Sequence, residues 1–322
     1  MSALTRRRFI AISAAAACGA HPALAIAGPS RPVVWRGVAL GARAEIRLNV
    51  EDRAEAARIV LACRAEIDRL EDLFSLYRAG SAISRLNRDG RLDAPDADLL
   101  QLLSSAAAIH RATEGAFDPT VQALWDAYAR IHAKFPDDGS GRRQAMMAAH
   151  EQLAGHIGFD AVAIGPDRIA LGRPGMALTL NGIAQGFITD RIAELLRARG
   201  LGHVLVDIGE LRALDGRRDG SSWPVRIAEP GTGKATARTV RLNDRALATS
   251  EPLGTTFDAA GRFGHILNPR TGRPAAMRRQ VSVTAPSAAI ADGLSTAFCL
   301  MPDEKVGQAI AAFAGADLVY SL

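Results

Sequence analysis

The strongest constraint on the fold is where the two hydrophobic periods fall along the chain. Ala57, Val60, Cys63, Ile67, Leu70 and Leu73 recur at helical spacing within Ala54 to Leu73, and Leu99 to Ile109 repeats the pattern. Val121 to Ala133 and Arg143 to Ile157 read as a further helix pair, separated by the loop Pro136 to Gly141. Short strands are expected later, at Ala161 to Ile164, Arg168 to Leu171, Ala177 to Leu180, Val204 to Ile208, Val225 to Ile227, Thr239 to Leu242, Ala246 to Thr249 and Gln280 to Thr284. Helices at Ala184 to Arg199 and Ala288 to Leu300 interrupt them, and Val33 to Val50 alternates as a strand does, with Gly41-Ala42 as a turn or bulge. Helices gathered early and strands gathered late fit an α+β fold and not a regularly alternating parallel sheet. Phe74 to Arg78 and Ser81 to Asn87 read as a polar connection.

The first residues carry a different signal. Thr5-Arg6-Arg7-Arg8-Phe9-Ile10 precedes an alanine-rich stretch from Ala11 to Ala20 and small-residue sites at Ala23 to Ala27. This is the pattern of a twin-arginine export signal over residues 1–27, which delivers an already folded protein to the periplasm. Residues 28–322 then form a single domain. The apolar run is too short to span a bilayer comfortably. Lipidation at Cys18 is an alternative, although Ala15 is a poor opening for a lipoprotein site. Cys63 and Cys299 remain after cleavage, each in an apolar helical pattern, and read as two buried thiols or one disulfide.

Charge excludes one class of partner. The formal net charge of +5 includes the three leader arginines and falls to +2 without them, too weak a bias for nucleic-acid binding. At 322 residues and 48% apolar content the chain can bury a large core.

Three stretches carry chemistry. In Ala291 to Thr296, Asp292 and Thr296 share one helix face in an apolar run, so two oxygens can meet one hard cation such as Mg²⁺. A helix cap or solvated face is the competing reading. In Thr113 to Thr120, Phe117 and Asp118 could wall a pocket for a planar ring; Asp118 could equally cap the turn that Pro119 opens. In Gly264 to Gly272, His265 precedes a tight polar turn and could orient or deprotonate a hydroxyl. Asn181 to Gly186 follows a strand and opens a helix, a place suited to phosphate, but lacks the Walker and dinucleotide fingerprints.

Together with Phe74 to Asn87, Leu180 to Asp190, Val206 to Ala213, Ala248 to Ser250 and Val283 to Thr296, these blocks resemble the ApbE family of FAD:protein FMN transferases from about Val34 to the C-terminus. The resemblance implies an α+β flavin-binding fold of mixed sheets packed with helices, with FAD in a cleft between the two halves. It implies FAD as donor, Mg²⁺ as cofactor, and transfer of FMN to a threonine or serine of an acceptor protein with release of AMP. By position, it assigns the metal to the side chains of Asp292 and Thr296 and the carbonyl of Gly182, with Ser295 nearby. Leu40, Tyr77, Ala116, Phe117, Asp118, Thr179, Gln185 and Ile266 fall on dinucleotide-contact positions, and His265 on the histidine near the reaction centre. Thr179 stands where the family usually has aspartate, Gln185 where lysine or glutamate is frequent, Glu251 where glycine is common, and Glu210-Leu211 where Gly-Asp is usual. The Thr249 to Gly254 stretch and the leader are similar to the subgroup that accompanies nitrous-oxide-reductase maturation, whose acceptor is a membrane flavoprotein. Acceptors in Na⁺-pumping or Rnf-type electron-transport complexes fit the same chemistry. The competing activities are a Mg²⁺-dependent FAD pyrophosphatase and a periplasmic FAD-binding protein without catalysis.

Overall fold

The computed structural model describes residues 33–48, 50–135, 139–228, 235–258, 260–275 and 280–321. The leader, with Cys18, lies outside them.

The chain begins with an antiparallel hairpin, β1 (Val33–Ala39) and β2 (Ala42–Leu48). Helix α1 (Arg53–Phe74) follows, capped by Asp52, whose side chain accepts from Ala54 N–H. Next come α2 (Ala82–Asp89), β3 (Arg91–Asp93), α3 (Ala97–Ala112), α4 (Gln122–Lys134) and α5 (Ser140–Leu153). The short strands β4 (Val162–Ile164) and β5 (Arg168–Leu171) join β3 in a small sheet ordered β3-β5-β4. The later half runs α6 (Ala184–Ala198), β6 (Val204–Ile208), β7 (Leu211–Leu214), β8 (Trp223–Ala228), β9 (Ala235–Leu242), β10 (Ala246–Ser250), β11 (Val281–Ala285), α7 (Ala288–Phe298), α8 (Asp303–Ala311) and β12 (Asp317–Ser321).

Seven strands make the main sheet, in the order β1-β2-β6-β7-β10-β11-β12, and every neighbouring pair is antiparallel. One face carries Val204, Val206, Ile208, Ala248, Val281 and Val283, packed with residues of α1, α3, α6 and α7 in the principal hydrophobic cluster. Within it Leu294 and Phe298 of α7 are fully buried, and each such side chain contributes roughly 2–3 kcal/mol. The opposite face carries Leu205, Leu211, Ala213 and Leu247, covered by the β8–β9 hairpin through Val225 and Leu242. The α+β expectation therefore holds, and Cys63 and Cys299 are both buried free thiols.

Two local expectations are corrected. Ser81 to Asn87 is not a connection but most of α2, capped by Ser81 and closed by Gly90 at φ 72°. Only Ala82, Ile83 and Leu86 face inward, too few apolar positions for the helical period to show. Ala177 to Leu180, with Leu178 and Leu180 buried, forms no strand and joins no sheet among the described residues. The Asn87 side chain takes the partner's place, donating to Leu178 C=O at 2.8 Å and accepting from Leu178 N–H at 2.7 Å.

Candidate active site

Helices α6 and α7 build the centre of the site, with Gly186 letting α6 meet the start of α7 and Gly293 letting α7 meet α3. A Cβ on Gly186 would lie 2.3 Å from the Ala288 carbonyl oxygen, and one on Gly293 would lie 2.4 Å from Ile109 Cδ1. Asp190, one turn along α6 from Gly186, then fastens the start of α7. Its carboxylate accepts from Ser287 Oγ at 2.7 Å, Ala288 N–H at 2.8 Å and Ala289 N–H at 3.0 Å. These are donors that an isolated helix leaves unsatisfied, and the carboxylate also suits the positive end of the helix dipole.

With α7 so placed, Asp292 turns toward the opening of α6, where its Oδ2 accepts from Gly186 N–H at 3.1 Å. The hydroxyls of Ser250, Ser295 and Thr296 form a chain: Ser250 Oγ lies 2.7 Å from Ser295 Oγ and 3.2 Å from Thr296 Oγ1. Gly182 closes on the same point, since a Cβ there would stand 3.1 Å from both Thr296 Oγ1 and Thr296 Cγ2 and 3.4 Å from the Phe117 ring. Asp292, Ser295, Thr296, Gly182 and Phe117 are thus brought together.

Electrostatics mark the spot. Burial pushes the Asp292 carboxyl up to about 7, against the Gly186 hydrogen bond, with the nearby Asp190 charge adding to the rise. Glu210, in the β6–β7 turn, is buried and pushed well above the usual carboxylate range by desolvation and by the Asp292 charge. Its Oε2 accepts from Thr249 N–H at 3.3 Å. Gly209 beside it has φ 86°, and a Cβ there would meet Gln185 Oε1 at 2.9 Å, so Gln185 packs beneath that turn.

His265 is set on the loop after β10. Its Nδ1 lies 3.2 Å from Pro252 C=O and 3.0 Å from Thr255 C=O. Two acceptors facing one ring nitrogen require the proton on Nδ1, which leaves the Nε2 lone pair free to accept. Burial lowers the imidazole's affinity for a second proton. Ile266 is buried beside it and accepts from Ala275 N–H at 2.8 Å.

The Thr113 to Thr120 turn forms an adjoining wall. Glu114 at φ 50° and Gly115 at φ 79° reverse the chain, and Arg270 from the Gly264 to Gly272 stretch donates to Glu114 C=O. Phe117 is buried, and Ala116 packs partly buried against the core. Asp118 behaves as a cap. Its Oδ1 accepts from Thr120 N–H at 2.8 Å and from Thr120 Oγ1, and its Oδ2 from Phe159 N–H at 3.1 Å. The carboxylate supports the wall from behind. Thr179 N–H donates to Pro119 C=O at 2.8 Å, and its hydroxyl accepts from Asn181 N–H at 3.2 Å.

Leu40 and Tyr77 share another neighbourhood. Leu40, at φ 46° in the β1–β2 turn, donates its N–H to Glu71 Oε1 at 2.6 Å, and Arg78 grips the other oxygen of Glu71. Tyr77 is 69% exposed on a cleft of about 410 Å³ between α2 and α4, lined also by Asn87, Gln122, Trp125 and Asp126. The cleft reaches Asn181, the residue before Gly182. Its walls come from α2, α4 and the segment ending at Asn181, so the later half of the chain enters it only at that end.

Sequence reasoning did not select Asp190, Glu210 or Ser250 as site residues. Asp190 and Ser250 carry no local signal, because their roles rest on contacts 98 and 46 residues away. The sequence marks Glu210 only as a departure from the resembling family's usual Gly-Asp, although an acid following glycine between two apolar strands is itself a signal.

The donor set fits a hard cation. Among the described residues no three His, Cys, Asp or Glu side chains are arranged to hold a metal. A cation at this centre would therefore draw on no more than two carboxylates, with hydroxyls and a backbone carbonyl, the oxygen-only mixture that Mg²⁺ accepts with substrate phosphates completing it.

The profile described as the ApbE family matches residues 40–319. The FAD:protein FMN transferase of Vibrio cholerae is 31% identical over 262 residues, covering 77% of this chain and 75% of its own length. That of Treponema pallidum is 31% identical over 297 residues, covering 85% and 80%. Among solved structures, the flavin transferase ApbE from Vibrio cholerae superposes with a TM-score of 0.71 at 25% identity, covering 88% of this chain and 91% of that one. The apbe protein from Thermotoga maritima gives 0.76 at 24% identity, over 89% and 93%, a likeness of fold.

Proposed function

This chain belongs to the ApbE family, and from that premise we propose that it transfers FMN from FAD to a threonine or serine hydroxyl of an acceptor flavoprotein, in a Mg²⁺-dependent reaction that releases AMP. The observation that carries the reading is the meeting of Asp292, Thr296 and Gly182 at the mouth of α6. The acceptor oxygen bonds to the FMN-side phosphorus, the bond from that phosphorus to the bridging oxygen breaks, and AMP leaves with that oxygen.

Phosphoryl transfer needs placement and charge neutralisation more than it needs a protein nucleophile. Mg²⁺, held by Asp292, Thr296 and the Gly182 carbonyl with Ser295 behind them, would supply neutralisation of the pyrophosphate oxygens. The chain's residues do the rest. Ser250 and Ser295 fix the Thr296 hydroxyl. The fold orients His265 through Nδ1, so that Nε2 takes the proton from the acceptor hydroxyl. Tyr77 and Trp125 offer aromatic faces in the cleft, suited to a planar ring. Leu40, Ala116, Phe117, Thr179, Gln185 and Ile266 frame the dinucleotide, with Asp118 bracing Phe117's turn.

We place the enzyme in the periplasm, on the twin-arginine stretch Thr5 to Ile10, acting on a membrane flavoprotein of an electron-transport or nitrous-oxide-reductase maturation system. Among the described residues no helix is long and apolar enough to cross a membrane.

The test mixes protein, FAD, Mg²⁺ and a candidate acceptor. A fluorescent acceptor band with stoichiometric AMP supports transfer. Free FMN and AMP without an adduct would make the chain a pyrophosphatase, and bound FAD with no AMP under any metal condition would make it a carrier.

A further inference from the structure

We infer that Glu210 is a second carboxylate of the cation pocket, and that the pocket consequently takes a divalent cation before any nucleotide arrives. The inference rests on the reading of Asp292 and Thr296 as the cation's holders and goes beyond it by adding a residue and an order of binding.

Three contacts locate Glu210 there. Its side chain accepts from the N–H of Thr249, the residue before Ser250, whose hydroxyl touches Ser295 and Thr296. Its backbone C=O lies 3.4 Å from Thr189 Oγ1, which also donates to Gln185 C=O at 2.8 Å. Gly209 packs directly on the Gln185 amide. Glu210 is therefore wedged between β10 and the first turns of α6, the same turns whose Gly186 N–H holds Asp292.

The arrangement is costly for an ordinary structural acid. Glu210 is 5% exposed and Asp292 4% exposed. The Thr249 bond is the one hydrogen bond to the Glu210 carboxylate among the described residues. The charged groups that act on the pair are all acidic: Asp190 on Asp292, and Asp292 and Asp207 on Glu210. Buried carboxylates facing one another are normally matched by a base, a shared proton or a metal ion. Hydroxyls from Ser250, Ser295 and Thr296 stand at the same place and supply neutral oxygen donors. Two carboxyls that give up their protons to a divalent ion can hold it without help from pyrophosphate oxygens, whereas Asp292 alone would depend on them.

The experiment titrates MgCl₂ into the EDTA-treated full chain without FAD, following heat and melting temperature for wild type, Glu210→Gln, Glu210→Asp and Asp292→Asn. Wild type is expected to bind Mg²⁺ alone and to melt higher as it binds. Glu210→Gln keeps an acceptor for Thr249 N–H and loses the charge; its affinity should fall at least about tenfold, with a melting temperature in EDTA at or above wild type. If that variant does not fold, Glu210→Asp carries the test with a smaller loss of affinity. Glu210 variants that titrate like wild type while Asp292→Asn loses binding would overturn the inference and leave the cation reading intact. Absence of any Mg²⁺ response in wild type without FAD would overturn the inference; its absence with FAD as well would remove the cation reading too.

Discussion

Gly186 N–H donates to Asp292 Oδ2 at 3.1 Å across 106 residues of sequence. This bond commits one oxygen of the carboxylate to the opening of α6 and leaves Oδ1 for the pocket. Asp292→Asn retains an acceptor for Gly186 while deleting the charge. Transfer should fall by about a hundredfold or more, with a melting temperature in EDTA no lower than wild type. In-gel flavin fluorescence of the acceptor, beside a thermal melt, checks both, and full flavinylation at limiting Mg²⁺ would contradict the assignment.

Two glycines should respond differently to the same added methyl. At Gly186 the new Cβ meets backbone at 2.3 Å, so Gly186→Ala should force α6 and α7 apart and lower stability by about 3 kcal/mol. At Gly182 it meets the Thr296 side chain at 3.1 Å, a clash that a small shift relieves. Gly182→Ala should lose activity while its stability changes by less than about 1 kcal/mol. Urea unfolding of both proteins distinguishes the cases.

Burial holds the His265 imidazole below its ordinary value of 6.5, so it is neutral at pH 7 and ready to accept a proton. The rate of transfer should be flat from about pH 7 to 8 and decline only below 6.5 as the ring becomes charged. His265→Ala should reduce the rate by about 10²-fold or more and remove that acid limb. A pH profile of the variant that keeps the limb would assign it to another group.

On the sheet, Asp207 of β6 faces Glu45 of β2 directly. Desolvation, then the Glu45 charge, raises the Asp207 carboxyl to about 6, while Arg36 and Arg47 help hold Glu45 below its usual range against its own burial. A carboxyl raised in the folded state destabilises it above the folded value, and that cost disappears as the pH falls toward the unfolded value of about 3.9. Asp207→Asn should therefore raise stability by about 1–2 kcal/mol at pH 7.5 and by little at pH 4. Melting temperatures across that range test the sign; an equal gain at both ends would rule out ionisation as the cause.

Helical period and four-residue spacing are local properties, legible in the order of residues alone. They mark out α1, α3, α4, α5, α6 and α7 and set Asp292 and Thr296 on one face of α7. Where burial comes from both sides, or from too few residues, the pattern fails. All four residues of β7 are buried because α6 covers one face and the β8–β9 hairpin the other, so it shows no alternation. Helix α8 buries only Val306 and Ala309, and β12 is an edge strand in which none of Asp317 to Tyr320 is buried. The candidate site divides in the same way. Asp292, Thr296 and His265 stood out by residue type and spacing and Gly182 through the family resemblance; Asp118 stood out too, and its alternative as a cap is the one its hydrogen bonds display. Asp190 fastening α7, Glu210 beside Asp292 and Ser250 bridging two hydroxyls depend on α6, β10 and α7 being pressed together. Sequence alone determined which segments are helix or strand and which oxygens could share a cation, because those follow from short-range geometry. Tertiary structure alone decided which acids share one desolvated pocket, because that depends on chain closure over as many as 106 residues.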